Sequence, residues 1–218
     1  MTSATLDHSG IRLSGRDFDV LFREARTFTA WLDRRVEDSV LRELYDLLKW
    51  GPTSANCCPA RILFLRSPES RERLRPALVP GNVEKTMKAP VTAVIGFDSR
   101  FFELLPRLFP AAPAMKVMFE KSPELAASTA MRNGSLQAAY LMIAARSLGL
   151  DCGPMSGFDN AKVDAEFFST GASGPSSGGL IAEGPIKSNF LCNLGYGDAS
   201  TLHPRGPRLL FGEACQLL

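Results

Sequence analysis

Histidine is almost missing from this chain: its 218 residues include two, His8 and His203, both in terminal irregular segments. Histidine-based triads and metal clusters therefore have almost no raw material. The five cysteines, Cys57, Cys58, Cys152, Cys192 and Cys215, are odd in number and contain no C-x-x-C pair. That spacing suggests neither a disulfide framework nor a zinc site. Neighbouring Cys57 and Cys58 could form a redox pair only under strain, so reduced, partly buried thiols are expected. No apolar run approaches the roughly 20 residues of a membrane helix. The polar residues 1–16 also lack the apolar core of a secretory leader. A surplus of charge is absent as well, since 25 basic and 23 acidic residues leave a net +2. Bulk electrostatic attraction to nucleic acid or a membrane surface is thereby excluded. These absences together imply a cytoplasmic protein without nucleic-acid, membrane or metal partners. Its chemistry is expected to come from a cofactor and not from side chains.

What is present is an ordinary globular composition, 45% apolar and 22% charged, long enough for one ample domain. Phe18, Leu21, Phe22 and Ala25 predict a first helix over residues 17–26. Val40, Leu41, Leu44, Leu47 and Leu48 predict a second over 39–50, with Glu37, Asp38 and Ser39 at its start. Short apolar runs at 62–65, 91–97 and 190–194 read as strands, and 150–159 as a loop with short strand character. The longest helix is expected between Pro123 and Gly149, apolar on nearly every face around residues 136–145. Gly134 marks either a bend or a close approach within it. Residues 1–16 are expected to be flexible and 17–218 to form a single domain, with 169–185 a Gly/Ser-rich surface excursion.

The most informative segment is Trp50-Gly51-Pro52-Thr53-Ser54-Ala55-Asn56-Cys57-Cys58-Pro59-Ala60. It joins a helix to a strand through small, polar and turn-forming residues. Prolines at either end restrict φ and remove backbone donors. Thr53, Ser54 and Asn56 offer side-chain donors and acceptors between them, which suits gripping a flat polar heterocycle. The plainer alternative is a capped helix–loop–strand connection whose Asx and Ser turns bond locally.

Arg26-Thr27, Pro52 to Asn56, Pro154-Met155-Ser156-Gly157, and Arg205 with Arg208 are segments of one kind. Each combines turn residues with side chains suited to phosphate or amide groups. In this order they resemble the nitroreductase-type flavoprotein family over nearly the whole chain. Longer runs at 47–57 (LLKWGPTSANC), 88–93 (KAPVTA), 132–141 (RNGSLQAAYL), 148–159, 187–189 and 193–198 sharpen the match. They look like the branch of malonic semialdehyde reductases in pyrimidine degradation. The chain departs from the family in two places. Only Arg26 is basic in the segment from Arg26 to Trp31, where many relatives carry a second cation, and the 169–185 stretch is long.

The resemblance implies an α+β, nitroreductase-like three-layer fold. A central mixed, mainly antiparallel sheet would be packed by helices, with the long central helix at a dimer interface. It implies FMN as cofactor, NADH or NADPH as electron donor, and a homodimer with FMN between the subunits. FMN would contact Arg26, Thr27, Pro52, Thr53, Ser54, Asn56, Pro154, Met155, Ser156, Gly157, Arg205 and Arg208. No residue is assigned a catalytic role, because the flavin N5 carries the chemistry. The implied reaction passes hydride from NAD(P)H to malonic semialdehyde and yields 3-hydroxypropionate. Arg61, Arg107 and Arg132 are possible holders of the acid group. Alternatives are a broad nitroaromatic or quinone reductase on the same fold, a flavin-binding protein without turnover, and a thiol redox protein using Cys57 and Cys58.

Overall fold

The computed structural model describes residues 10, 12–169 and 186–218. The expected excursion at 169–185 lies, apart from Ser169, outside them, as do residues 1–9 of the expected flexible start.

Four strands form one sheet in the order β1-β2-β4-β3: β1 (Ala60–Leu65), β2 (Val91–Asp98), β3 (Asp151–Met155) and β4 (Ile186–Gly195). All three pairings are antiparallel, with Ala60 opposite Phe97, Val91 opposite Leu194, and Asp151 opposite Gly195. The parallel element is a bridge outside the strands, Thr27 beside Cys152. Alternation along β2 sends Val91, Ala93 and Ile95 into one apolar cluster and Val94 into the other. Helices therefore cover both faces, giving the three layers expected.

The first face packs α2 (Asp38–Leu48) and α7 (Pro123–Ser147) through Leu41, Leu44, Leu48, Ala138, Leu141 and Ala145. The second carries α3 (Pro68–Leu74), α4 (Pro80–Met87) and α8 (Asn160–Val163), meeting at Leu74, Leu78, Val94 and Val163. A third cluster joins the turns after β2 to α5 (Leu105–Leu108) and α6 (Ala114–Glu120), around Phe101, Phe102 and Phe119.

The 25 residues of α7 form one uninterrupted helix, roughly 38 Å long at 1.5 Å per residue. Gly134 is its close approach: a Cβ there would come 3.0 Å from the Phe97 Cβ. Gly149 ends it in the left-handed region at φ 76°. The first helix differs from expectation. Ser14 caps α1 (Gly15–Phe18), and Asp19–Arg23 continues as a π-helical turn. The wider turn breaks the 3.6-residue register, so Phe22 stays exposed and Arg26 lies outside the helix.

Candidate functional site

The 52–59 loop is held in a conformation that it would not adopt alone. Ala55, Asn56 and Cys58 have φ of 50°, 50° and 39°, a region disfavoured for residues with a Cβ. Fixed partners impose it. Asn133 Oδ1 on α7 accepts the Ser54 N–H at 2.8 Å, and Gln137 Oε1, one turn later, accepts the Ala60 N–H at 2.9 Å. Asn56 Nδ2 donates to Leu108 O at 2.9 Å, tying the loop to the end of α5. Thr53 Oγ1 accepts the Cys58 N–H at 3.3 Å, and Tyr140 Oη donates to Pro52 O at 2.9 Å. Beneath the loop lies a buried ion pair, Arg61 with Asp98. Burial lowers the Arg61 pKa, and the Asp98 charge partly offsets that shift. Cys57 is fully buried, and desolvation pushes its thiol up to about 11, so it is not a nucleophile at neutral pH.

A second set of expected residues gathers at the β3 edge. The chain after α1 lies along β3, with Phe28 N donating to Cys152 O at 3.0 Å. Arg26 donates to His203 O, and Arg205 donates to Ala25 O at 3.0 Å. The early and late basic segments therefore meet although 179 positions separate Arg26 from Arg205. Among the described residues each guanidinium makes this one hydrogen bond, leaving further N–H groups for an anion. Arg208 instead bonds the carbonyls of Gly206 and Pro207 in its own turn. Pro154 and Met155 end β3, and Ser156 is exposed just beyond. The Gly157 carbonyl accepts Asn82 Nδ2 at 2.8 Å and the Val79 N–H at 3.2 Å. A Cβ at Gly157 would lie 2.7 Å from Asn82 Nδ2, so the turn is as tight as its backbone allows.

The sheet order separates the two sets. Pro52, Thr53, Ser54 and Asn56 precede edge strand β1, whereas Arg26, Thr27, Arg205 and 154–157 border the opposite edge, β3. Three strand spacings lie between them, roughly 14 Å. Sequence reasoning missed the residues that shape the first set: Asn133, the loop-holding role of Gln137, and the α5 contact. A signal existed, because Thr129, Asn133 and Gln137 are polar residues at i, i+4, i+8 on a helix face that is otherwise apolar.

The layered sheet, the long central helix and these two edge sites define a nitroreductase-like fold. The profile of the nitroreductase family matches residues 23–170. The chain is 56% identical over 201 residues to a candidate NADH dehydrogenase/NAD(P)H nitroreductase of Cupriavidus pinatubonensis, covering 91% of this chain and 96% of that one. A Ralstonia pickettii protein of the same description is 54% identical over 200 residues, covering 90% and 95%. Among solved structures, a candidate nitroreductase of Exiguobacterium sibiricum in complex with FMN superimposes with a TM-score of 0.78 at 15% identity, covering 95% of this chain and 99% of that one. One from Bacillus subtilis gives 0.77 at 18% identity, covering 93% and 99%. The chain belongs to the nitroreductase family.

Among the described residues no helix is long and apolar enough to cross a membrane, and no three His, Cys, Asp or Glu side chains converge as metal ligands.

Proposed function

We propose that this chain is a cytoplasmic FMN-dependent NAD(P)H oxidoreductase whose acceptor is malonic semialdehyde, reduced to 3-hydroxypropionate in pyrimidine degradation. The observation that carries the cofactor assignment is the meeting of Arg26 and Arg205 across the two ends of the chain. Two guanidiniums with free N–H groups suit a phosphate monoester, which takes charge-assisted, bidentate hydrogen bonds. Arg208 in the same tail and Thr27 beside Cys152 flank them. Pro154, Met155, Ser156 and Gly157 continue along the β3 edge as a rigid turn for the ring.

The loop at Pro52, Thr53, Ser54 and Asn56 reaches this cofactor from a second copy of the chain. Its separation from the β3 edge supports that arrangement, since the two edges lie three strands apart within one chain. Exposed apolar side chains supply surface for such a homodimer: Trp50 at 81% exposure, Met131 at 56% and Leu210 at 73%. FMN, when bound, supplies hydride transfer between NAD(P)H and the acceptor. The protein's part is to hold the ring, bind the phosphate and place the acceptor.

A second reading, broad nitroaromatic or quinone reduction, is favoured by the description of the Cupriavidus relative. Purified holoenzyme given NADPH with malonic semialdehyde, a nitroaromatic and a quinone separates the two by kcat/KM. The acid-aldehyde reading requires the semialdehyde to lead by at least about tenfold, and a leading quinone or nitroaromatic sinks it. Anaerobic mixing with NADPH excludes a flavin carrier without turnover if the flavin absorbance bleaches.

A further inference from the structure

Several cavities carry arginines, and the charge balance of two of them differs. The larger, about 580 Å³, is lined by Arg34, Arg35, Arg66, Arg71 and Lys88. Acids of this chain neutralise much of it: Asp38 holds Arg66 at 2.5 Å and Glu84 holds Lys88 at 2.7 Å. The smaller, about 420 Å³, lies against the 52–59 loop between α2, β1 and α5. Its lining contains no Asp or Glu.

Its charged side chains are both cationic, Arg61 and Arg107. Arg107 on α5 has no ion pair or hydrogen bond among the described residues. Gln137 is 5% exposed, and its Oε1 accepts the Ala60 N–H. The amide NH2 group makes no hydrogen bond among the described residues and is left as a donor that a ligand in the cavity can reach. The third polar candidate, Arg61, is already engaged. It donates to Asp98 and to three backbone carbonyls. The remaining walls are mostly apolar, Leu48, Ile62, Phe64 and Leu104 among them, with the Tyr45 hydroxyl and the Cys58 thiol as further polar groups. An exposed cation without an ion pair and an amide donor, beside a cleft whose lining holds no acid, match a small organic acid.

We propose that this cavity binds a carboxylate, and that Arg107 and Gln137 select the acid group of the electron acceptor. The acceptor's identity rests on the acid-aldehyde reading above, whereas carboxylate binding does not. Arg107 makes the charge-assisted bonds, and Gln137 adds a neutral amide donor beside it. Of the three arginines that the sequence leaves open, Arg61 is committed to the loop and Arg132 projects from the exposed side of α7.

The test compares wild-type holoenzyme with Arg107→Ala and Arg107→Lys. Malonate, an unreactive probe, is titrated calorimetrically, and kcat/KM is measured for malonic semialdehyde and propanal. Arg107→Ala should weaken malonate binding about 10- to 100-fold and lower the preference for the acid over propanal by a similar factor, with Arg107→Lys recovering part of both. Unchanged malonate affinity, or equal losses for both aldehydes, overturns the proposal. If wild type does not turn over the semialdehyde but Arg107→Ala still loses malonate, the acid-aldehyde reading fails and the carboxylate site stands. A loss of dimer mass in Arg107→Ala with malonate affinity unchanged assigns the cavity to a second copy, and that too overturns the proposal.

Discussion

Arg61 Nη2 lies 3.0 Å from Asp98 Oδ2 in the interior, while Nη1 of the same guanidinium donates to the carbonyls of Cys58, Pro59 and Ala60 at 3.1, 3.2 and 2.9 Å. The pair ties the start of β1 to the end of β2 and closes the left-handed loop from below. Its charges are compensated by each other and by backbone groups, among them the Arg100 N–H that donates to Asp98 Oδ1 at 2.8 Å. Arg61→Met therefore leaves the fully buried Asp98 carboxylate without its counter-charge. The expected loss is about 3–5 kcal/mol of stability in urea denaturation. Replacing both partners, in Arg61→Met with Asp98→Leu, should recover part of it. A single variant that loses less than about 1 kcal/mol would show the pair to be dispensable.

Asn133 tests the loop from the helix side. Asn133→Ala removes the acceptor of the Ser54 N–H and the donor to Thr129 O, both buried or partly so. About 1–3 kcal/mol of stability should be lost. If the loop grips FMN, the FMN Kd should rise about tenfold or more as Ala55 and Asn56 relax from positive φ. A destabilised protein with unchanged FMN affinity would detach the loop from the cofactor.

Much of the fold was legible in the sequence. The apolar runs at 62–65, 91–97 and 190–194 lie within β1, β2 and β4, and capping residues bracket α7. Legibility ended where a contact is not local. Nothing near Asn133 says that it will meet Ser54, 79 positions earlier. Periodicity misread the first helix because a π-helical turn at Asp19–Arg23 changes the residue count per turn. The expected site residues were chosen for their side chains, and the sheet order then divided them between two edges. Strand order is a property of the assembled core, and it is invisible to spacing. The tail shows the same limit: the sequence alone makes Arg208 the better phosphate candidate of the pair, yet among the described residues it is Arg205 that bonds the N-terminal segment.

Gly51 tests packing at the entry to the loop. A Cβ there would lie 2.0 Å from Cδ2 of the Tyr140 ring. Gly51→Ala must push that ring away and break its bond to Pro52 O, at an expected cost of about 1–3 kcal/mol in thermal or urea denaturation. Tyr140→Phe keeps the ring and loses only the hydroxyl, so about 0.5–1.5 kcal/mol is expected. If Gly51→Ala costs less than Tyr140→Phe, the close approach does not constrain the loop.

Cys57 gives a pH signature. Burial raises its folded-state pKa from 9.0 to about 11, so the native state holds its proton over a range in which the unfolded chain releases it. The stabilisation is fully present below pH 9 and is lost as pH rises towards about 11. Stability measured from pH 8 to 11 should fall less steeply in Cys57→Ala than in wild type, whatever the absolute offset. At pH 8 iodoacetamide should label the exposed Cys215 well before the buried Cys57, Cys152 and Cys192. Equal labelling rates in the native protein would contradict the burial.

The phosphate assignment can be isolated by using a ligand that lacks the phosphate. Arg26 and Arg205 brace each other's segments through the carbonyls of His203 and Ala25, so either substitution loosens the β3 edge and weakens any flavin somewhat. A charge contact to phosphate adds a loss that riboflavin does not share. The ratio of FMN to riboflavin affinity should therefore fall about 10- to 100-fold in Arg26→Ala and Arg205→Ala, more in low salt than in high salt. Arg208 is occupied with its own turn, and Arg208→Ala should change the ratio less. A ratio that stays constant while both affinities drop would make the arginine pair a brace for the chain ends, with the phosphate held elsewhere.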